Sequence, residues 1–322
     1  MDEALIGALI ASTLRVSTPL ILCALAGLLS ERAGVIDIGL EGKMLFAAFA
    51  AGAAGVTFGS TTVALLVAMA VTIALSWLHG LACVSNRGDQ VVSGVAVNII
   101  AVGMTAVLGI AWFHQGGQTP PVSGDVRLQA FIPAATGWLQ GIPVLGAIVG
   151  EGLLSHNIMV YVTLLLVPAV WWLLYRTRFG LRLRAVGENA HMVDAAGVSV
   201  PGMRYAALTL NGALCGLAGA YLVLAQNASF VPNMTAGRGF MALAAMIFGK
   251  WRPFAAFWAC LLFGFLDAVA IRLQGVRVPG IGEVPVQLVQ ALPYLLTVIL
   301  LAGFIGHTVA PQALGRPYLK DR

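Results

Sequence analysis

Residues 62–84 read TVALLVAMAVTIALSWLHGLACV, and several stretches of this kind recur along the chain. The stretch contains no Asp, Glu, Lys or Arg. A helix needs roughly 20 apolar residues to cross a hydrocarbon core of about 30 Å. A transmembrane β-strand would instead alternate apolar and polar side chains. Residues 62–84 therefore predict a membrane-spanning α-helix.

The composition of the whole chain agrees with this prediction. Of its 322 residues, 59% are apolar and 10% are charged, and the mean hydropathy is +0.91, which excludes a soluble globular fold. Because 59% of 322 is about 190 apolar residues, there is material for about nine crossings. In hydrocarbon, backbone N–H and C=O groups must be paired within the protein. We therefore predict an all-α polytopic membrane protein with about nine transmembrane helices, at residues 5–29, 43–58, 62–84, 91–113, 157–175, 204–226, 239–250, 254–272 and 286–304.

Basic residues between the fifth and sixth predicted helices set the orientation. Lys and Arg beside a span are retained in the cytoplasm. The five arginines are Arg176, Arg178, Arg182, Arg184 and Arg204. With this segment inside, the N-terminus is predicted to lie outside and the loop 115–156 to be extracytoplasmic. The start Met1-Asp2-Glu3 lacks the basic region of a cleaved signal peptide.

The cysteines and the net charge exclude several other functions. Cys23, Cys83, Cys215 and Cys260 lie inside apolar runs without a C-x-x-C pair, so we interpret them as buried small hydrophobes. The five histidines show no metal-binding spacing, and no metal site is predicted. The net charge of +5, spread over short loops, does not indicate a nucleic-acid partner.

Two distant stretches resemble each other. Residues 41–48 read EGKMLFAA and residues 238–245 read RGFMALAA, each a charge and a glycine followed by a small-residue helix. Inverted repeats of this kind are common in transporters, whose pathway lies at the repeat interface. Gly- and Ala-rich helices also match by chance, so both interpretations stay open. If the repeat is real, a single transmembrane domain over 1–322 consists of a first repeat (1–113), an intervening region (114–203), a second repeat (204–304) and a cytoplasmic tail (305–322).

The segment 30–43, SERAGVIDIGLEGK, contains five charges and three glycines between two apolar runs. Charge near a membrane core is costly, so one interpretation is a broken, partly embedded segment whose carboxylates lie beside a polar pathway. The other is an ordinary interfacial loop with Glu31 and Arg32 solvated. The charge count alone favours the interfacial loop.

The intervening region contains a candidate short helix facing the cytoplasm. Glu188 and Asn189 can cap a helix that runs to Ala196, and Gly197 suits its C-terminal stop. A basic loop that only enforces topology would explain the arginines but not the capped helix. The pattern therefore favours a docking element.

At these segments the chain resembles the permease subunits of bacterial ABC importers for simple sugars, nucleosides and branched-chain amino acids. The resemblance covers almost the whole chain. Within this family the chain most resembles the shorter of two nonidentical permeases in nucleoside importers that use a basic-membrane-protein-type lipoprotein. The matching motifs are residues 31–42, 93–98, 179–197, 237–249 and 292–295. Two positions depart from the family pattern, which usually has Asn at Asp37 and a hydrophobe at Lys43.

The resemblance implies a type II ABC importer-like fold and a division of labour between subunits. It implies an ABC ATPase subunit that binds ATP and magnesium, a second nonidentical permease, an extracytoplasmic substrate-binding lipoprotein and a place in the bacterial inner membrane. This chain has no G-x-x-x-x-G-K-[ST] motif, because Trp251 follows Gly249-Lys250 where the hydroxyl residue would be needed. We therefore predict no catalytic residue and no cofactor bound by this chain.

The predicted functional residues fall into two groups. One group lies along the substrate pathway, and the other couples the permease to the ATPase. Within the pathway group, the alternative for Asn98 is an interhelical hydrogen bond instead of a substrate contact, and the alternative for Phe240 is simple packing. The predicted substrate-pathway residues are Asp37, Glu41, Asn98, Arg238 and Phe240. The ATPase-coupling residues implied by the resemblance are Arg182, Arg184, Gly187, Glu188, Asn189, Ala195 and Gly197.

Other transport classes stay open. The substrate could be a simple sugar or another small polar solute such as riboflavin instead of a nucleoside. An ion-coupled secondary transporter would use a lone intramembrane carboxylate, for which Asp267 is the candidate. An intramembrane enzyme would need a motif such as H-E-x-x-H or G-x-S-x-G, and neither occurs.

Overall fold

The computed structural model describes residues 3–131, 146–273, 277–278, 282–283 and 309–319, together with the single positions 291, 295 and 299. The helices are α1 (Glu3–Arg32), α2 (Leu40–Phe58), α3 (Thr61–Gly80), α4 (Gln90–Phe113), α5 (Ile158–Arg176), α6 (Arg178–Glu188), α7 (Ala190–Ala195), α8 (Val200–Tyr221), α9 (Arg238–Phe248) and α10 (Pro253–Leu273). π-Helical turns occupy Leu81–Ser85, Gly146–Leu154 and Leu222–Asn227. Two short strands, β1 (Arg277–Val278) and β2 (Gly282–Glu283), pair antiparallel.

Six helices among the described residues are long and apolar enough to cross a membrane, which confirms the helical multi-pass class. They are Leu5–Arg32, Thr61–Ser85, Gln90–Phe113, Ile158–Arg176, Val200–Asn227 and Pro253–Leu273. The predicted span 43–58 lies within α2, and the span 239–250 overlaps α9, whose 11 residues rise only about 16 Å. The predicted span 286–304 lies outside the described residues except at three single positions. The count of nine stays a prediction.

Helix α1 forms the centre of the bundle. Its residues 20–29 are almost all fully buried, and they pack with α8, α9 and α10 in the largest apolar cluster. By contrast α4 exposes large apolar side chains such as Val92, Ile99 and Trp112, as expected of a helix facing lipid or another membrane subunit.

Glycines on one face of α8 allow neighbouring helices to approach closely. A Cβ at Gly212 would lie 2.7 Å from Ile73 Cα, one at Gly216 would lie 2.6 Å from Met69 Cα, and one at Gly219 would lie 2.2 Å from Met44 O. The spacing of four and three residues puts these glycines on one face. Small residues provide this contact in membranes, where no hydrophobic effect drives helices together. The sequence of α8 therefore fixes its close packing on α2 and α3.

The segment 33–39 between α1 and α2 lies at the same end of the bundle as α6 and residues 309–319. A Cβ at Gly187, near the end of α6, would lie 2.2 Å from Arg32 O. The N–H of Gly315 donates to Gly34 O at 3.3 Å. Because α1 spans 30 residues, its N-terminus lies about 45 Å away, at the other end.

The interpretation of 30–43 as a solvated loop is wrong for Glu31. This carboxylate is 5% exposed and accepts a hydrogen bond from Trp251 Nε1 at 2.6 Å. Arg32 donates from Nε and Nη2 to Trp251 O at 3.0 and 2.9 Å. Glu31 and Arg32 thus form hydrogen bonds with Trp251 in the turn between α9 and α10. These bonds hold the end of α1 against that turn.

Candidate functional site

A buried ion pair organises the break between α1 and α2. Lys43 Nζ donates to Asp37 Oδ2 at 2.5 Å, and both side chains are fully buried. Lys43 also donates to Asn211 Oδ1 at 3.1 Å, and Asp37 Oδ1 accepts from the N–H of Gly39 at 3.1 Å. The two charges therefore compensate each other, because either one alone would be buried without a partner.

Side chains from α3 and α4 hold the backbone of the same break. The N–H of Ile36 donates to Gln90 Oε1 at 2.7 Å, and Ile36 O lies 3.0 Å from His79 Nε2. Asn98 Nδ2 donates to Ile38 O at 3.1 Å, while its Oδ1 accepts from the N–H of Gly42 at 2.7 Å. Orphan backbone groups at a helix break are costly in a membrane, and these contacts satisfy them. Asn98 thus makes the interhelical hydrogen bonds that were the alternative to a substrate contact.

Glu41 links α2 to the start of α9. Its Oε1 accepts from the N–H of Gly237 at 2.8 Å, and its Oε2 accepts from the N–H of Gly239 at 2.6 Å. A carboxylate at a helix N-terminus satisfies free N–H groups and stabilises the helix dipole. A Cβ at Gly239 would lie 2.6 Å from Glu41 Cα, so this approach requires glycine. The amino ends of α2 and α9, which the sequence comparison aligned, therefore meet in space.

A small cavity of about 210 Å³ lies at this meeting point. Its polar wall combines Glu41 and Asn98 with the 233–237 loop, and Leu45 and Val102 supply apolar surface. Each Glu41 oxygen accepts one backbone N–H and keeps a further acceptor site. The cavity can therefore accept hydrogen bonds from hydroxyl or N–H groups of a small polar molecule.

The predicted pathway residues separate into three locations. Glu41 and Asn98 line this cavity, and Arg238 follows the lining residue Gly237 as the first residue of α9. Asp37 is enclosed in the ion pair and has no exposed surface. Phe240 is 48% exposed and is not among the cavity-lining residues.

The predicted coupling segment forms two short helices, α6 and α7, at the same end of the bundle as the break. Asn189 caps α7, since its Oδ1 accepts from the N–H of Met192 at 3.1 Å, and Gly197 follows with φ +79°. Met192 is 71% exposed, and Glu188 and Ala195 are also exposed. The capped helix that the sequence predicted is therefore present.

The basic and glycine residues of this segment differ in role. Arg182 is exposed, whereas Arg184 donates to Leu174 O at 3.0 Å and lies 4.7 Å from the ring centroid of Tyr175. Gly187 is buried against the end of α1, where a side chain has no room. Arg182 faces outward, and Arg184 and Gly187 bind the segment to the bundle.

Sequence reasoning missed the partners of the ion pair. Asn211 of α8 bonds to Lys43, and it also accepts from Ser76 Oγ at 3.2 Å. The available signal was a polar residue inside an apolar helix, at Asn211 and at His79. Among the described residues, no group of three His, Cys, Asp or Glu side chains could hold a metal ion.

A known protein family matches most of the chain. A family described as "Branched-chain amino acid transport system / permease component" matches residues 9–301. The chain belongs to this permease family. It is a multi-pass membrane protein, as the six long apolar helices show.

Curated relatives of the permease match nearly its whole length. A nucleoside ABC transporter permease protein of Lactococcus lactis is 36% identical, over 98% of this chain and 97% of its own length. A guanosine ABC transporter permease protein of Bacillus subtilis is 37% identical, again over 98% and 97%. A Haloferax volcanii permease, whose name assigns it provisionally to glucose, is 33% identical over 97% and 98%. No solved structure matches the permease.

Proposed function

We propose that this chain is the transmembrane permease subunit of an ATP-driven ABC importer that moves nucleosides across the bacterial inner membrane. The observation that carries the proposal is the likeness to two permeases named for nucleoside or guanosine transport, at 36% and 37% identity over nearly the whole length. The cavity between Glu41 and Asn98 supports it, because nucleosides offer several hydroxyl and N–H donors.

The transport cycle is alternating access between two inverted repeats. The contact of Glu41 with Gly237 and Gly239 supports this proposal, since it joins the two stretches that the repeat aligns. Rocking of one repeat against the other would open and close the cavity at this contact. Nine spans and the division into 1–113, 114–203, 204–304 and 305–322 belong to the same proposal.

In this proposal the N-terminus lies outside and the coupling segment lies in the cytoplasm. The exposed arginines Arg176, Arg178 and Arg182 support this orientation under the positive-inside rule. The length of α1 supports it too, because its start and the coupling segment lie at opposite ends. The break 33–39 is then at the cytoplasmic end of the bundle.

Energy would come from a separate ABC ATPase subunit that holds ATP and magnesium. The exposed, capped helix α7 is its docking element, and closure of the ATPase pair would push it. A second nonidentical permease and an extracytoplasmic lipoprotein would complete the transporter. The chain itself contributes no catalytic residue, in keeping with the missing phosphate-binding motif.

Competition for uptake tests the substrate. Cells that express the complete transporter take up a radiolabelled nucleoside, and unlabelled guanosine, uridine, glucose and riboflavin are added in excess. We expect the nucleosides to abolish uptake and glucose and riboflavin to leave it unchanged. Competition by glucose, with none by nucleosides, would replace the nucleoside assignment with the sugar alternative, which the Haloferax volcanii relative favours.

A further inference from the structure

Residues 309–319 pack against the coupling segment. The N–H of Ala313 donates to Gly187 O at 2.8 Å, and Arg204 Nη2 donates to Arg316 O at 3.2 Å. The ring of Tyr318 lies 5.3 Å from that of His191 and packs on the small apolar cluster beneath α7. Residues 309–319 are thus bonded both to the end of α6 and to the start of α8, the two helices that flank α7 in the chain.

A cleft of about 290 Å³ separates residues 309–319 from α7. One wall is formed by residues 188–191 and the other by Gln312, Ala313 and residues 316–318, with Arg204 between them. Met192 directly follows the first wall in the sequence, and Leu319 directly follows the second. Their side chains are 71% and 53% exposed. An exposed apolar rim beside a polar cleft is typical of a protein interaction site.

The cleft has an excess of positive charge. Arg204 is 1% exposed, and its Nε and Nη1 have no hydrogen-bond partner among the described residues. Arginine stays charged, and a buried cation without an anion is costly. Arg316 at the opposite wall is exposed. Among the described residues that line the cleft, Glu188 is the one carboxylate, and its Oε2 accepts from the N–H of Gln312 at 3.5 Å.

We propose that residues 309–319 are a second wall of the ATPase-docking surface and that the cleft takes a carboxylate side chain of the ATPase subunit. This inference rests on the proposed function. A carboxylate binds a guanidinium through a charge-assisted hydrogen bond, which the unpartnered Nε or Nη1 of Arg204 can supply. Because the cleft adjoins α7, the ATPase would contact both walls of the cleft and move them together.

The test is a charge reversal at Arg316. Since its side chain is exposed and its bonds to other described residues are made by its backbone, Arg316→Glu is expected to fold normally. We expect the purified permease pair in nanodiscs to bind the ATPase subunit about tenfold more weakly, with a smaller dependence on salt. Arg252→Glu is the matched control, an exposed arginine after α9 that does not line the cleft, and it should bind normally.

A second variant separates this inference from the proposed function. Met192→Glu places a charge on the exposed face of α7 and should also weaken binding of the ATPase. If Met192→Glu has no effect, the docking assignment of α7 itself is wrong. If Met192→Glu weakens binding but Arg316→Glu leaves it within twofold, only the role of residues 309–319 is overturned. Binding of inorganic phosphate or anionic-lipid vesicles that depends on Arg316, with unchanged ATPase binding, would also overturn it.

Discussion

At the residue scale, the buried pair of Asp37 and Lys43 shows how one unusual residue depends on another. Both charges lie in the membrane domain without exposed surface, and Asn211 completes the bonding of Lys43. The pair holds the break that precedes Glu41, and Glu41 binds the start of α9. Removal of either charge is therefore expected to displace Glu41 and alter the cavity, although Asp37 and Lys43 do not line it.

We predict a strong interaction between substitutions at these two positions. Asp37→Asn or Lys43→Met alone leaves a buried charge unpaired and should destabilise the permease by about 3–5 kcal/mol. The double variant removes both charges and should recover most of the stability. Thermal unfolding in nanodiscs measures all four proteins. Additive losses in the double variant would show that the pair is not an energetic unit.

At the scale of elements, the glycine face of α8 determines how closely the bundle can pack. Gly219 contacts α2, and Gly212 and Gly216 contact α3. Helix α4 provides the contrast, because a Cβ at Gly103 would meet nothing within 4 Å. Glycine therefore has opposite value at Gly219 and at Gly103.

Alanine at these glycines should have opposite effects on stability. Gly219→Ala forces α8 away from Met44 O and should lower the unfolding temperature and the yield of folded permease. Gly103→Ala should leave stability unchanged or raise it by about 0.5–1 kcal/mol, since alanine favours a helix more than glycine does. Fluorescence-detected size-exclusion chromatography after heating compares the two. Equal tolerance of both variants would show that the α8 contact is not tight.

At the scale of the whole molecule, sequence reasoning predicted the long helices well because each depends on its own run of apolar residues. Residues 62–84 are such a case, and the capped helix α7 is another, since its signals at Asn189 and Gly197 are local. The arrangement around the break could not be predicted. Its partners, His79, Gln90, Asn98 and Asn211, come from three helices that the chain reaches later. The enclosure of Asp37 follows from that packing.

In the proposed transport cycle, this permease moves nucleosides with energy from a separate ATPase. The most direct measurement is nucleoside uptake by proteoliposomes that contain the permease pair and the ATPase subunit, with the binding lipoprotein supplied on the outer side. We predict that uptake requires ATP and magnesium on the ATPase side and persists when a protonophore removes the ion gradient. Uptake without ATP that follows an imposed ion gradient would contradict this cycle and favour the ion-coupled class.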